Sequence, residues 1–142
     1  MAKNVLVPTD GSPQSDDALV HALEEFDGGT ITVLHVIDPI DAGYNAPVGM
    51  PGGSEEWYEN AQEQSEAVFA DAQEIADEYG VELDTRQEMG RPARTIVAVA
   101  EEDDFDQIVM GSHGRSGVSR ILLGSVAETV VRRSTIPVTV VR

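Results

Sequence analysis

The chain contains no cysteine. That removes disulfides, thiol nucleophiles and thiolate metal ligands from consideration. It contains a single lysine, Lys3, among nine basic residues. It has no run of about 18 apolar residues, hence no candidate membrane-spanning helix. No G-K-[ST] sequence occurs, so the lysine that a P-loop places on the β- and γ-phosphates is missing. There is no H-x-G-H nucleotidyltransferase pattern. His21 falls on a predicted helix, His35 on a predicted strand and His113 in a loop, a spread that argues against a histidine metal site. Met1-Ala2-Lys3-Asn4 leads straight into an apolar strand rather than into a secretory signal, and the expected location is the cytoplasm.

What the chain has in excess is negative charge. There are 26 acids and a formal charge of −17 over 142 residues. Such a surface repels nucleic acid, which is bound chiefly by phosphate neutralisation. It also repels itself in dilute salt, and a Debye length of ~3 Å at 1 M salt relieves that repulsion. Near-replacement of lysine by arginine, with acids over the helices, resembles proteins of extreme halophiles; the alternative is an ordinary acidic cytosolic protein. Apolar residues make up 41%, so the chain is not a disordered acidic tail, and its length suits one domain over residues 1–142.

The charge is unevenly spread. Residues 111–142 carry Arg115, Arg120, Arg132, Arg133 and Arg142 against Glu128 alone, while 25 of the acids lie in residues 1–110. The basic stretch coincides with the glycines Gly111, Gly114 and Gly124. An apolar run, Ile108-Val109-Met110, precedes Gly111, and a helical pattern of Val126, Ala127, Val130 and Val131 follows Gly124-Ser125. Strand, glycine-punctuated loop and helix N-terminus is the layout of an anion site, because glycines admit close backbone approach and the first N–H groups of a helix carry partial positive charge.

The rest of the chain alternates strand and helix. Asn4–Pro8 reads as a buried strand and Pro13 to Phe26 as a helix capped by Ser12, with Ala18, Leu19, Ala22, Leu23 and Phe26 inward. Thr30–Val36 is the second strand. Residues 38–53 form a long loop with four glycines and three prolines. A long helix follows from Ser54 to Tyr79, with Trp57, Tyr58, Ala61, Val68, Phe69, Ala72, Ile75, Ala76 and Tyr79 as its apolar stripe and nine acids elsewhere. Val81 to Glu88 alternates like an edge strand with one wet face, its Val81, Leu83 and Thr85 on one side. A helix through Ala93, Ile96, Val97 and Ala100, a strand at Gln107–Met110, the helix after Gly124 and a last strand at Val138–Val141 complete the pattern. The expected fold class is α/β, a doubly wound five-stranded parallel sheet with helices on both faces.

The spacing G-x2-G-x9-G-[ST] after an apolar strand, filled by Gly111, Gly114, Gly124 and Ser125, resembles the nucleotide-binding signature of the universal stress protein family, in its ATP-binding subclass. V-L-V-P-T-D from Val5 and P-V-T-V-V-R from Pro137 are similar to that family too, so the resemblance spans nearly the whole chain. It implies strand order 3-2-1-4-5, which puts the loops after strands 1 and 4 at the switch point where such sheets bind ligands. It further implies ATP with Mg2+ over the Gly111–Ser125 loop and a homodimer through strand 5, Pro137 to Arg142. The cofactor-binding residues are then Pro8, Thr9, Asp10, Val36, Met110, Gly111, His113, Gly114, Arg115, Gly124, Ser125 and Val126. Asp10 would hold the ribose, the backbone around Val36 would meet the adenine edge, with Pro8 and Met110 lining the pocket, and Arg115 would reach phosphate.

Each role has a plain structural counterpart. Asp10 also suits a turn, Val36 and Met110 suit ordinary core, Arg115 suits a solvated loop and Ser125 suits a helix cap. A phosphoacceptor role for Asp10 lacks support, since no second acid follows it in D-x-D spacing. Ser112 and His113 are chain neighbours and do not form an arranged nucleophile pair. The function implied is a nucleotide-dependent switch or sensor in the stress response with at most slow hydrolysis. The alternatives are a slow ATPase or phosphotransferase, and a structural stress module that binds no nucleotide.

Overall fold

A computed structural model describes residues 3–39, 55–112 and 123–142. In chain order its elements are β1 (Asn4–Pro8), α1 (Pro13–Glu25), β2 (Thr30–Ile37), α2 (Glu55–Asp77), β3 (Asp84–Met89), α3 (Pro92–Glu102), β4 (Gln107–Gly111), α4 (Ser125–Arg133) and β5 (Val138–Val141). The five strands form one sheet in the order β3-β2-β1-β4-β5, and all four pairings are parallel. Fold class and strand order match the expectation.

The central strands are apolar on both faces because both faces are covered. Val5, Val7, Ile31, Val33 and Val109 point toward α1 and α2, packing with Ala18, Leu19, Ala22, Leu23, Ala72 and Ala76. Leu6, Leu34, Ile108 and Met110 point the other way, toward α3 and α4, packing with Ile96, Val99, Ala100, Ala127 and Val130. Val5, Leu6 and Val7 are 0% exposed. Each such side chain contributes about 1.5–3 kcal/mol by its burial, so β1 anchors both layers and its carboxyl end is held firmly.

Helix boundaries follow their caps. The Ser15 N–H donates to Ser12 Oγ (3.2 Å) at the start of α1. Phe26 caps its end through Ala22 O (3.0 Å) rather than extending it, and Gly28 takes φ +84° in the turn to β2. The helix expected to reach Tyr79 ends at Asp77, where Tyr79 and Gly80 N–H groups make tightened bonds to Ala76 and Asp77 carbonyls (2.9 and 3.1 Å). The apolar stripe of α2 is narrower than expected: Tyr58 and Tyr79 are exposed, while Ser65 is fully buried, its hydroxyl donating to Ala61 O (3.1 Å).

Strand β3 begins three residues later than the alternation suggests. Val81 and Leu83 are claimed by the side chain of Gln73 before they can join the sheet. Gln73 Nε2 donates to Val81 O (2.9 Å), and Gln73 Oε1 accepts from the Leu83 N–H (3.0 Å). From Asp84 the chain pairs with β2 as an edge strand. None of its residues is buried, so both faces are partly wet, not one.

Candidate functional site

The site is built where β1 and β4 part. Their registered pairs are Val5↔Gln107 and Leu6↔Ile108, although both strands run further. By contrast β1 stays paired with β2 through Pro8↔Leu34. Parallel neighbours whose crossovers leave on opposite faces separate in this way, and the gap opens at the carboxyl ends of the strands. Sequence position alone does not reveal it; strand order does.

The β1 side of the gap is a tightly bonded turn. Thr9 donates its N–H to Leu34 O (2.8 Å). Its hydroxyl donates to Ser15 Oγ (2.9 Å) and accepts from the Gly11 N–H (3.3 Å). Asp10 Oδ1 accepts from the Ser12 N–H (2.9 Å), the local bond by which an aspartate closes a turn. Gly11 supplies the positive φ, +81°. The turn role of Asp10 is therefore filled, and its carboxylate is held at the mouth of the gap.

The β4 side is pinned at its base. Ser112 donates its N–H to Val141 O (2.9 Å), and its carbonyl accepts from the Gly124 N–H (2.7 Å). That second bond brings the N-terminus of α4 back to the end of β4, so Ser112 and Gly124 adjoin. Gly124 caps α4 without a side-chain bond, and the first intrahelical bond runs from the Glu128 N–H to Gly124 O (2.9 Å). Helix geometry leaves the first-turn N–H groups, those of Ser125 and Val126 included, without intrahelical acceptors. Ser125 is exposed and Val126 half-buried.

Two of the three sequence-derived base-pocket residues lie on the α3 and α4 side: Met110 is buried there, and Val36 packs against the same cluster. Pro8 is half-buried at the end of β1. His113, Gly114 and Arg115 lie outside the described residues, as does most of the long 38–53 loop.

Two features depart from the sequence reading. The basic stretch is divided: Arg132 and Arg133 sit in the last turn of α4, the end opposite Gly124, where they complement the helix dipole. Arg132 pairs with Glu128 (2.7 Å). Of the five arginines, Arg115 and Arg120 fall between Gly111 and Gly124 in the sequence. In addition, His35, which the sequence shows only as a strand histidine, reaches the site turn, its Nδ1 lying 3.0 Å from Thr9 O. Thr9, Ser12 and Ser15 likewise form a network that only the fold reveals.

The acidic surroundings of the turn have a measurable consequence. Burial, followed by the charges of Asp71, Asp17 and Asp10, pushes the Asp16 carboxyl above its ordinary value of 3.8. A carboxyl with a raised folded value binds its proton more tightly when folded. It therefore costs nothing when both states are protonated, and it destabilises as pH rises through 3.8 and past the folded value. Asp16→Asn is expected to raise the urea midpoint at neutral pH and to leave it unchanged well below pH 3.8. A variant less stable than wild type at neutral pH would show that the charge is favourable there, through the N-terminal dipole of α1.

Five parallel strands in this order, a glycine-flanked helix N-terminus returned to the end of β4, and an aspartate turn at the end of β1 define a doubly wound α/β protein with its candidate ligand site at the switch point. Residues 1–142 match the universal stress protein family. The chain belongs to that family. It is 38% identical over 145 residues to universal stress protein MJ0531 of Methanocaldococcus jannaschii, covering 99% of this chain and 82% of that one. Its fold is similar to that of universal stress protein UspA from Lactobacillus plantarum, with TM-score 0.79, 29% identity and coverage of 99% and 98% of the two chains. A universal stress protein solved in complex with cAMP is also similar, with TM-score 0.73, 26% identity and coverage of 100% and 99%.

Proposed function

We propose that this chain binds an adenine nucleotide, ATP with Mg2+ foremost, between the β1 turn and the β4–α4 connection, and acts as a nucleotide-dependent switch or sensor in the stress response. The observation that carries the reading is the Gly124 N–H to Ser112 O bond. It sets the open N-terminus of α4 at the mouth of the gap, an arrangement suited to phosphate. Support also comes from the similar universal stress protein that holds cAMP. In this reading Pro8, Val36 and Met110 line the base pocket and Thr9 and Asp10 hold the ribose. Gly111, His113, Gly114, Arg115, Gly124, Ser125 and Val126 surround the phosphates.

The fit of a metal is narrower. Among the described residues no group of three or more Asp, Glu or His could hold an ion. Mg2+ would therefore come in on the phosphates, keeping most of its waters.

Calorimetric titration with ATP, AMP and cAMP tests the reading, followed by analysis of any product. Gly114→Val is expected to lower affinity at least about tenfold by filling the phosphate position. Asp10→Ala is expected to weaken ATP and AMP alike. No binding of any of the three to the wild-type protein would leave the structural-module alternative standing, and turnover of ATP would favour the enzyme.

The same reading includes a homodimer through β5. The two sheet edges differ. β3 carries Asp84, Arg86 and Glu88, and Arg86 pairs with Glu88 (3.1 Å) and with Asp103. β5 is V-T-V-V, uncharged and half-buried. Charged edges resist strand addition and uncharged ones invite it. The Ile108 N–H bonds to Pro137 O and the Ser112 N–H to Val141 O, so the odd residues of β5 face β4, and the peptide of Val140 faces the open edge. Val140→Pro is accordingly expected to spare the β4–β5 ladder and turn a dimer into a monomer, read by light scattering in molar salt. A wild-type monomer at micromolar concentration would remove the dimer and leave the nucleotide site as it is.

A further inference from the structure

The β1–β2 ladder stops one bond short of where its geometry would carry it. Leu34 O accepts from the Thr9 N–H at 2.8 Å. In a parallel ladder the next bond runs from the residue two further along β2 to the same Thr9, here from the Val36 N–H to Thr9 O. No backbone bond joins them. Instead Thr9 O meets His35 Nδ1 at 3.0 Å. A carbonyl oxygen only accepts, so Nδ1 carries the proton and donates. The imidazole is held firmly in this position. It is 8% exposed, and its ring stands edge-on to Phe69 of α2, centroids 6.4 Å apart at 90°. Thr9 is held from its other side by Ser15 Oγ.

Val36 meanwhile lies beyond the end of β1, half-buried. Ile37, its neighbour, gives its carbonyl to the Gly90 N–H on the β3 side (2.9 Å). Alternation along β2 therefore turns the Val36 N–H and carbonyl toward the β1 side, into the gap.

We infer that His35 is a positioning residue: by drawing the Thr9 carbonyl toward the α1–α2 face, out of line with the ladder, it keeps the Val36 N–H out of the ladder and available to a ligand in the gap. The ligand part rests on the nucleotide reading above, in which an adenine ring presents a nitrogen acceptor beside an amino donor and so matches a peptide N–H beside a carbonyl. The ladder part stands without any ligand. His35 touches no nucleotide in this arrangement; it acts through the Thr9 turn.

Amide hydrogen exchange by NMR on ligand-free protein tests the ladder part, in wild type, His35→Leu and His35→Asn. Leucine fills the space without a donor, whereas asparagine retains one near the Nδ1 position. In wild type the Val36 amide is expected to exchange far faster than that of Leu34. In His35→Leu it is expected to slow at least about tenfold as it closes onto Thr9 O, and His35→Asn is expected to restore fast exchange. A Val36 amide as protected as Leu34 in wild type, or unchanged exchange in a folded His35→Leu, overturns the inference. Titration with AMP is the separate arm. Affinity about tenfold weaker in His35→Leu, restored in His35→Asn, supports the link to the nucleotide. If the exchange pattern appears as expected and wild type binds no nucleotide, the ladder role stands and the nucleotide reading falls.

Discussion

Raising KCl from about 0.1 M to about 2 M is expected to stabilise the protein strongly, because the Debye length falls from ~10 Å to under ~3 Å over that range. The acids are placed where screening has the most to relieve. α1 ends in Glu24-Glu25, and neither α1 nor α2 has a base in its last turn. α3 ends in Glu101-Glu102, again without a base. Acids at a helix C-terminus oppose the dipole by about 0.3–1 kcal/mol each at low ionic strength. Among the described residues the ion pairs are those of Arg86, Arg91 and Arg132 with Glu88, Asp103, Asp38 and Glu128, while eight acids line α2. Three such helix ends together with the general repulsion amount to several kcal/mol, on the order of 10 °C in melting temperature for a chain this long. A melting temperature that is flat across the range would show that the acids are balanced locally and would contradict the halophile-like reading.

How far the sequence foretells the structure depends on the reach of the interactions involved. β1, β2 and β4 are legible because burial on both faces demands a continuous apolar run, and Val5-Leu6-Val7 and Ile108-Val109-Met110 satisfy that demand within a few residues. α1 is legible because Ser12 and Pro13 mark its start locally. The start of β3 is not, since what holds Val81 and Leu83 out of the sheet is a Gln73 side chain eight and ten residues away. The site divides in the same manner. The glycine spacing and the Thr9-Asp10 turn can be read directly, but their meeting needs the strand order, which comes from family resemblance. The His35 to Thr9 contact spans 26 residues and depends on the β1–β2 register, in which Pro8 pairs with Leu34. No local pattern around His35 announces it. Nearness in sequence groups Arg132 and Arg133 with the loop, but a nine-residue helix carries them roughly 13 Å from its start at 1.5 Å per residue.

Gly111→Val is expected to lower stability by about 1–3 kcal/mol with no ligand present. The reason lies on the face of β4 turned toward α1. A Cβ built on Gly111 would sit 2.9 Å from both the carbonyl carbon and the carbonyl oxygen of Gln14, and 3.0 Å from its Cβ. Two of these are backbone atoms in the first turn of α1, so no rotamer change relieves the contact. α1 would have to lift from the sheet at the end fixed by Ser12 and Ser15, which carries the Asp10 turn with it. The first glycine of the motif therefore serves the packing of α1 whatever its backbone does toward a phosphate. Gly111→Ala already introduces the clashing atom, and valine adds two methyl groups in the same narrow space. Urea denaturation of the ligand-free variants in molar salt reads the effect. The valine variant's melting temperature should fall by roughly 2–4 °C per kcal/mol lost. A Gly111→Val protein with the wild-type urea midpoint would show that α1 moves aside without cost, and the glycine would then have to be explained by the ligand alone.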